Sequence, residues 1–230
     1  LLLERAGHTI LGSDIRANYV AGLNKKQITT NEPRVAELLS ASKNFTATTD
    51  TRAVVQQSTI IYVMVATPSL ADGSYDVSAV WRVVNDIQEC DFDLRGKVLV
   101  VGCTTNPGDC AKIQEVLRAK GVSVLYNPEF IAQGSIVNDL QRADIVLIGG
   151  EHQDVMNRYA EIYDDIQTSF ESLGWKVLKV DGHNIIDLQY KNLFRLNGTC
   201  YNLYHHSSCL TGWRYHPRKI GICQKHPKAN

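Results

Sequence analysis

"KVLVVGCTTNPGDCAKIQEVLRAKGVSVLYNPEF", residues 97–130, sets two apolar runs on either side of one helical pattern. The runs "KVLVVG" (97–102) and "VSVLY" (122–126) are nearly continuous rather than alternating. That is the pattern of strands buried on both faces. Between them Pro107 sits near a helix's first turn and Gly121 marks its stop. Strand, helix, strand in this order is a parallel crossover unit.

The same alternation extends outward. "HTILGSD" ends in Asp14, "FTATT" spans 45–49 and "TIIYVMVA" spans 59–66; "DIVLIGG" (144–150) and "WKVLKV" (175–180) follow the opening unit. Asp76 can cap a helix with Val77, Val80, Trp81, Val84 and Ile87 on one face, and "DVMNRYAEIYDDIQTSFESLG" predicts another running to Gly174. The fold class expected is α/β, a Rossmann-like, doubly wound, mostly parallel sheet over residues 1–180. Residues 181–230 show neither helical nor strand period and read as an irregular tail.

Length and composition narrow the function. At 230 residues and 44% apolar the chain can bury one sizeable core, and 24 basic residues balance 24 acidic ones. A net charge of zero supplies no field for nucleic acid or a membrane surface, so neither is an expected partner. "IIYVMVA" is too short to span a bilayer, and "LLLERAGHT" has no secretory pattern. Six scattered cysteines in a chain of this size read as thiols in a reducing, cytoplasmic setting.

Ligands of doubly wound sheets bind at the carboxyl ends of strands. The residues there are Asp14, Ala66 to Pro68, Gly102 to Pro107 and Asn127 to Phe130. Asp14 is either an acid for the ribose hydroxyls of a dinucleotide or a plain surface turn acid. As a ribose acid it puts any glycine fingerprint about 20 residues upstream, before Leu1. Thr67 could bond a ligand beside the stiff Pro68, although Thr-Pro at a strand end is usually only a turn. Thr104, Thr105 or Asn106 caps the following helix, unless a threonine hydroxyl points at a cofactor or a water. Glu129 is either a general base over the crevice or an acid favouring the dipole of the helix after it. In the tail, Cys200, His205, His206, Cys209, His216, Cys223 and His226 look metal-like, but only Cys223 and His226 are suitably paired, so no metal site is expected.

Seven segments, in order and in register, carry a resemblance: "RAGHTILGSDI", "TTNEPRVAELL", "ATTD", "VATPSLADGSYDVSAV", "CTTNPGD", "NPEFIAQGSIVNDL" and "IVLIGG". With them, residues 1–168 resemble the N-terminal NAD-binding domain of the UDP-glucose/GDP-mannose dehydrogenase family. The resemblance implies NAD-dependent oxidation of a nucleotide-sugar 6-hydroxyl to the uronate, in the manner of a UDP-glucose 6-dehydrogenase serving polysaccharide biosynthesis. It implies Asp14 on the ribose of NAD, with Thr67 and Pro68 beside the cofactor. Thr105 matches the threonine of an "STVP"-like motif, which orients a catalytic water near the nicotinamide. Glu129 matches the glutamate of "NPEF", with acid/base and water-handling work in the hydrolysis step. Phe130 and Ile131 would line the sugar-nucleotide site.

The chain also departs from the family. Gln133-Gly134 stands where "EG" is common, and Ile145 where an Arg often follows the Asp, so the sugar is left open. The family continues into a long central helix and a "GGxCxPKD"-like loop with a nucleophilic cysteine; Cys223 lacks the flanking glycines and does not take that role. The expectation is a partial chain that binds a dinucleotide without completing oxidation, with a homodimer in doubt without the central helix. Two alternatives stay open: another Rossmann oxidoreductase of the 3-hydroxyacid dehydrogenase type, or a nucleotide-binding protein without catalysis.

Overall fold

The computed structural model describes residues 1–129, 131–142 and 146–162, and the backbone alone at 163–166, 178–181, 195–196 and 199–200. In chain order the elements are α1 (Leu2–Arg5), β1 (Ile10–Ser13), α2 (Ala17–Asn24), α3 (Val35–Ala41), β2 (Phe45–Thr48), α4 (Thr51–Gln57) and β3 (Ile60–Val63). Then come α5 (Ser78–Gln88), β4 (Val98–Val101), α6 (Asp109–Arg118), β5 (Ser123–Tyr126), α7 (Ile136–Gln141), β6 (Leu147–Gly150) and α8 (Gln153–Ile166). β7 (Leu178–Asp181) closes the main sheet, and β8 (Arg195–Leu196) pairs antiparallel with β9 (Thr199–Cys200).

Five strands form the main sheet in the order β3-β4-β5-β6-β7, while β1 and β2 form a parallel pair of their own. β3, β4 and β5 run parallel, as do β6 and β7; only the β5–β6 join is antiparallel. The architecture is therefore the mostly parallel α/β sheet that the alternating pattern predicts. The expected end of the last long helix at Gly174 lies outside the described residues.

Successive strand residues serve opposite faces. Ile61, Val63, Leu99, Val101, Val124 and Tyr126 pack with Val80, Val84 and Ile87 of α5 and Ile113 and Leu117 of α6. Val100, Leu125, Val146 and Ile148 turn the other way, onto Val155, Met156 and Tyr159 of α8. Neither face meets water, so neither needs polar residues, and the runs lose their alternation. Leu3 of α1 joins the second face beside Ile60 and Tyr62, and α1 also contacts α8.

Helix starts differ from the sequence reading in two places. Asp76 accepts a hydrogen bond from the Ser78 amide at 2.9 Å, closing a local turn, and Val77 takes the N-cap of α5. α6 begins after Gly108, whose φ of 90° only glycine adopts readily, so none of Thr104, Thr105 and Asn106 is its N-cap. Asp76 was open to misplacement because a short polar side chain closes a turn as readily as it caps a helix, and Asn106 because its side chain bonds to Tyr75 instead.

Leu99 is fully buried. Leu99→Ala is expected to cost about 2–5 kcal/mol in urea unfolding. Ile15, 91% exposed, should change stability by less than about 0.5 kcal/mol when replaced by Ala.

Candidate functional site

Because β3, β4 and β5 are parallel, the segments that follow them leave the sheet at one edge. Thr67 and Pro68 follow β3, Thr105 and Asn106 follow β4, and Asn127 to Glu129 follow β5. Asp14 follows β1 in the neighbouring pair; its amide donates to the Thr48 carbonyl at 3.2 Å. Among the described residues the large apolar side chains left most exposed are Ile15, Tyr19, Met64 and Leu70. All four lie in the segments just beyond β1 or β3, where a flat apolar ligand could cover them.

The turns beyond β3 and β4 are locked together by Asn106. Its Oδ1 accepts the Tyr75 amide at 2.7 Å, and its Nδ2 donates to the Tyr75 carbonyl at 2.9 Å. The Asn106 amide and Nδ2 both donate to Oδ2 of the buried Asp109, at 2.9 and 3.0 Å. The loop so held is already closed on itself, with Ser69 bridged to Tyr75 and the Asp76 amide bonded to the Pro68 carbonyl at 2.9 Å. Thr67 is half-buried and Pro68 exposed at its entrance. Thr105, one residue before the clamp, is fully buried, with its hydroxyl 3.8 Å from the Cys110 sulfur.

Beyond β5, Asn127 anchors the turn that carries Glu129. Its amide donates to the Val101 carbonyl at 3.0 Å, its Nδ2 to the Leu147 carbonyl at 2.8 Å, and its Oδ1 accepts the Tyr159 hydroxyl at 2.6 Å. Tyr62, whose ring lies 5.9 Å from that of Tyr159, completes the group. Burial pushes the Tyr62 hydroxyl up to about 12; the Tyr159 hydroxyl pulls it down, and the Glu129 charge adds to the rise. Tyr62 is therefore a neutral phenol beside Glu129. The helix after Glu129, α7, begins only at Ile136, so the reading of Glu129 as a helix-dipole acid is corrected.

Phe130 lies outside the described residues. Ile131 is half-buried at the start of a turn held from two sides. Asp139 accepts the Ala132 amide at 2.9 Å and the Ser135 hydroxyl at 2.7 Å, and these bonds hold its carboxyl below the usual range. Across the molecule, Glu32 accepts the Gly134 amide at 2.7 Å and Arg34 donates to Gln141 at 2.9 Å. Gln133, the departure noted above, is exposed.

Sequence reading passed over Arg16, which donates three hydrogen bonds to Asp14. Its amide and Nε reach Oδ1 at 2.8 and 2.9 Å, and Nη2 reaches Oδ2 at 2.8 Å. These bonds, with the guanidinium charge, lower the Asp14 carboxyl to about 2. The signal was present as Asp-X-Arg, and Asp93-Leu94-Arg95 repeats it with the same bonds. Nothing in the sequence foretold the Asn106–Tyr75 clamp or the Tyr159–Asn127 bond, whose partners lie 31 and 32 residues apart.

Cys90, Cys103 and Cys110 are thiols, and burial pushes those of Cys90 and Cys103 above the ordinary range. Cys90 and Cys110 are buried and Cys103 is half-buried. Among the described residues no His, Cys, Asp and Glu group could hold a metal, and no helix is long and apolar enough to cross a membrane.

A mostly parallel sheet with an acid after β1 and polar turns gathered at one strand edge defines a dinucleotide-binding α/β domain of the doubly wound class. Residues 1–167 match the model of the UDP-glucose/GDP-mannose dehydrogenase family, NAD binding domain. The chain belongs to that family, and the matched region is its NAD-binding domain. It is 31% identical over 157 residues to a UDP-glucose 6-dehydrogenase of Rhizobium meliloti, covering 64% of this chain and 35% of that one. With UDP-glucose 6-dehydrogenase AglM of Haloferax volcanii it is 30% identical over 168 residues, covering 68% and 39%. The GDP-mannose dehydrogenase of Pseudomonas aeruginosa, solved as a ternary complex, superposes with a TM-score of 0.64 at 24% identity, over 71% of this chain and 40% of that one. The chain thus spans well under half the length of these relatives.

NAD fits this edge in kind: Oδ2 of Asp14 keeps an open acceptor for a ribose hydroxyl, and exposed apolar side chains flank it. Removing the clamp side chain takes away both bonds that Asn106 makes to Tyr75 and its Nδ2 bond to Asp109. Asn106→Ala should therefore cost about 1–3 kcal/mol in chemical denaturation. Amide exchange at Tyr75 should accelerate in the same variant.

Proposed function

We propose that this chain is the cofactor-holding part of a nucleotide-sugar 6-dehydrogenase, with a UDP-sugar as the substrate. The observation that carries this reading is that the most exposed large apolar side chains follow two strand ends, Ile15 and Tyr19 beside Asp14 after β1, and Met64 and Leu70 beside Thr67 and Pro68 after β3. Flat rings of a dinucleotide would cover these apolar side chains, and the residues beside them supply polar anchors. The bound nicotinamide would supply hydride acceptance.

The remaining work falls to the chain's own residues. Glu129, half-buried beside the neutral Tyr62, holds a water for the hydrolysis step and takes its proton. Thr105 orients that water from the neighbouring turn, its hydroxyl keeping bonding capacity beyond the Cys110 contact. Phe130 and Ile131 line the sugar-nucleotide side; of the two, Ile131 opens the turn tethered through Gly134 to Glu32. Oxidation to the uronate also needs an accessible thiol nucleophile. Among the described residues Cys90 and Cys110 are buried and Cys103 is a raised, half-buried thiol, so none of the three suits that role.

That burial, together with the inward Thr105 hydroxyl, favours a second reading: a nucleotide-binding protein without turnover. Calorimetry with NAD and UDP-glucose, followed by an assay of NAD reduction, separates the two. Binding of NAD that weakens in Asp14→Ala supports both readings. Turnover that falls by about 100-fold or more in Glu129→Gln supports the dehydrogenase. Binding with no turnover under any condition leaves the second reading standing, and no binding of either ligand sinks both.

A further inference from the structure

Two hydrogen bonds join segments that lie 102 and 107 residues apart in the chain. Oε1 of Glu32 accepts the Gly134 amide at 2.7 Å, and Nη1 of Arg34 donates to Oε1 of Gln141 at 2.9 Å. Gly134 sits at the bend before α7, with a φ of 90°, and Gln141 is the last residue of α7. The two bonds therefore grip the turn after β5 at both ends. The turn's own shape is set locally, by the bonds from Ala132 and Ser135 to Asp139. What the long-range bonds fix is where that turn sits. Among the described strands β1 and β2 pair only with each other, so no strand ladder joins the residues around Asp14 to this turn.

The segment that supplies the grip holds an unfavourable shape. Thr30 Oγ1 accepts the Glu32 amide at 3.1 Å, and the Glu32 carbonyl accepts the Val35 amide at 3.4 Å. Inside this turn Arg34, the N-cap of α3, takes a left-handed φ of 68°. A residue with a side chain adopts that backbone unfavourably, whereas glycine adopts it freely. The guanidinium is what arginine adds there, and it reaches Gln141. Oε2 of Glu32 is buried and has no hydrogen-bond partner among the described residues. A buried carboxylate oxygen without a donor also destabilises. Both penalties fall on residues whose side chains grip the same turn.

Resting on the nucleotide-sugar reading above, we propose that Glu32 and Arg34 are positioning residues for the sugar-nucleotide side. Acting through Gly134 and Gln141, they hold the turn that starts at Ile131 in place against the half of the domain that carries Asp14. None of the four gripping residues belongs to the core clusters, so opening the grip leaves the sheet and the Asp14 end intact. Nucleotide-sugar affinity then falls while folding and dinucleotide affinity stay. The bland explanation is a pair of surface contacts that adds a little stability and does nothing else.

The test is calorimetry of the full chain with UDP-glucose and with NAD, run beside urea unfolding. Glu32→Ala should weaken UDP-glucose by about tenfold and leave NAD within about twofold. Glu32→Gln should restore UDP-glucose to within about twofold of the unaltered chain. Its amide oxygen can accept the Gly134 amide, and the exchange at Oε2 breaks no bond. Arg34→Gly keeps the left-handed turn and removes the guanidinium alone. It should weaken UDP-glucose several-fold without lowering the urea midpoint. Unchanged UDP-glucose affinity in either Glu32→Ala or Arg34→Gly, a parallel loss of NAD affinity, or no recovery in Glu32→Gln overturns this proposal alone. Failure of UDP-glucose to bind the unaltered chain overturns the nucleotide-sugar reading and this one with it.

Discussion

Burial of β4 and β5 on both faces is the constraint from which the rest follows. Val100, Val101, Leu99, Val124 and Leu125 are all essentially removed from water, so their backbone groups can be satisfied only by neighbouring strands. Parallel pairing then forces a helical crossover between consecutive strands, and the crossovers cover the two faces. The polar residues are left to the strand ends, because nowhere else in this sheet can a side chain meet solvent or ligand. The candidate site is thus a consequence of the core rather than an addition to it.

At that edge the polar groups are held by one another. Asn106 gives Tyr75 the two bonds a strand partner would give, and Asp109 fixes Asn106 in turn. Asn127 does the same for the turn before Glu129, with Tyr159 and the Leu147 carbonyl as partners. Side-chain amides bonded in this way are held firmly, since breaking such a bond leaves a partly desolvated donor or acceptor. The turns after β3, β4 and β5 are therefore set by side chains from other parts of the chain, and the site inherits their geometry.

Much of this was legible in the sequence, for a physical reason. Strand positions followed from continuous β-branched runs such as "KVLVVG", and Asp14, Thr67, Thr105 and Glu129 followed from their place after those runs. Short-range readings of polar residues fared worse. Asp76 and the Thr-Thr-Asn segment read as helix caps, whereas Asp76 closes a turn before the helix at Ser78 and Asn106 clamps Tyr75 before the helix at Asp109. Glu129 as a helix acid failed because α7 begins at Ile136. A polar side chain at a helix entrance has several local bonds of similar strength available, and packing chooses among them.

By itself the sequence determined the class of sheet, the strand ends from which the polar turns leave and the family to which the chain belongs. Those properties depend on residue order and hydrophobic pattern, which the chain carries without folding. Only the tertiary structure decided which polar groups meet: Asn106 with Tyr75, Asn127 with Tyr159, Glu32 with Gly134, and the inward turn of the Thr105 hydroxyl toward Cys110. Hydrogen bonds act over about 3 Å and have no memory of sequence separation, so their partners exist only once the core has brought distant segments together.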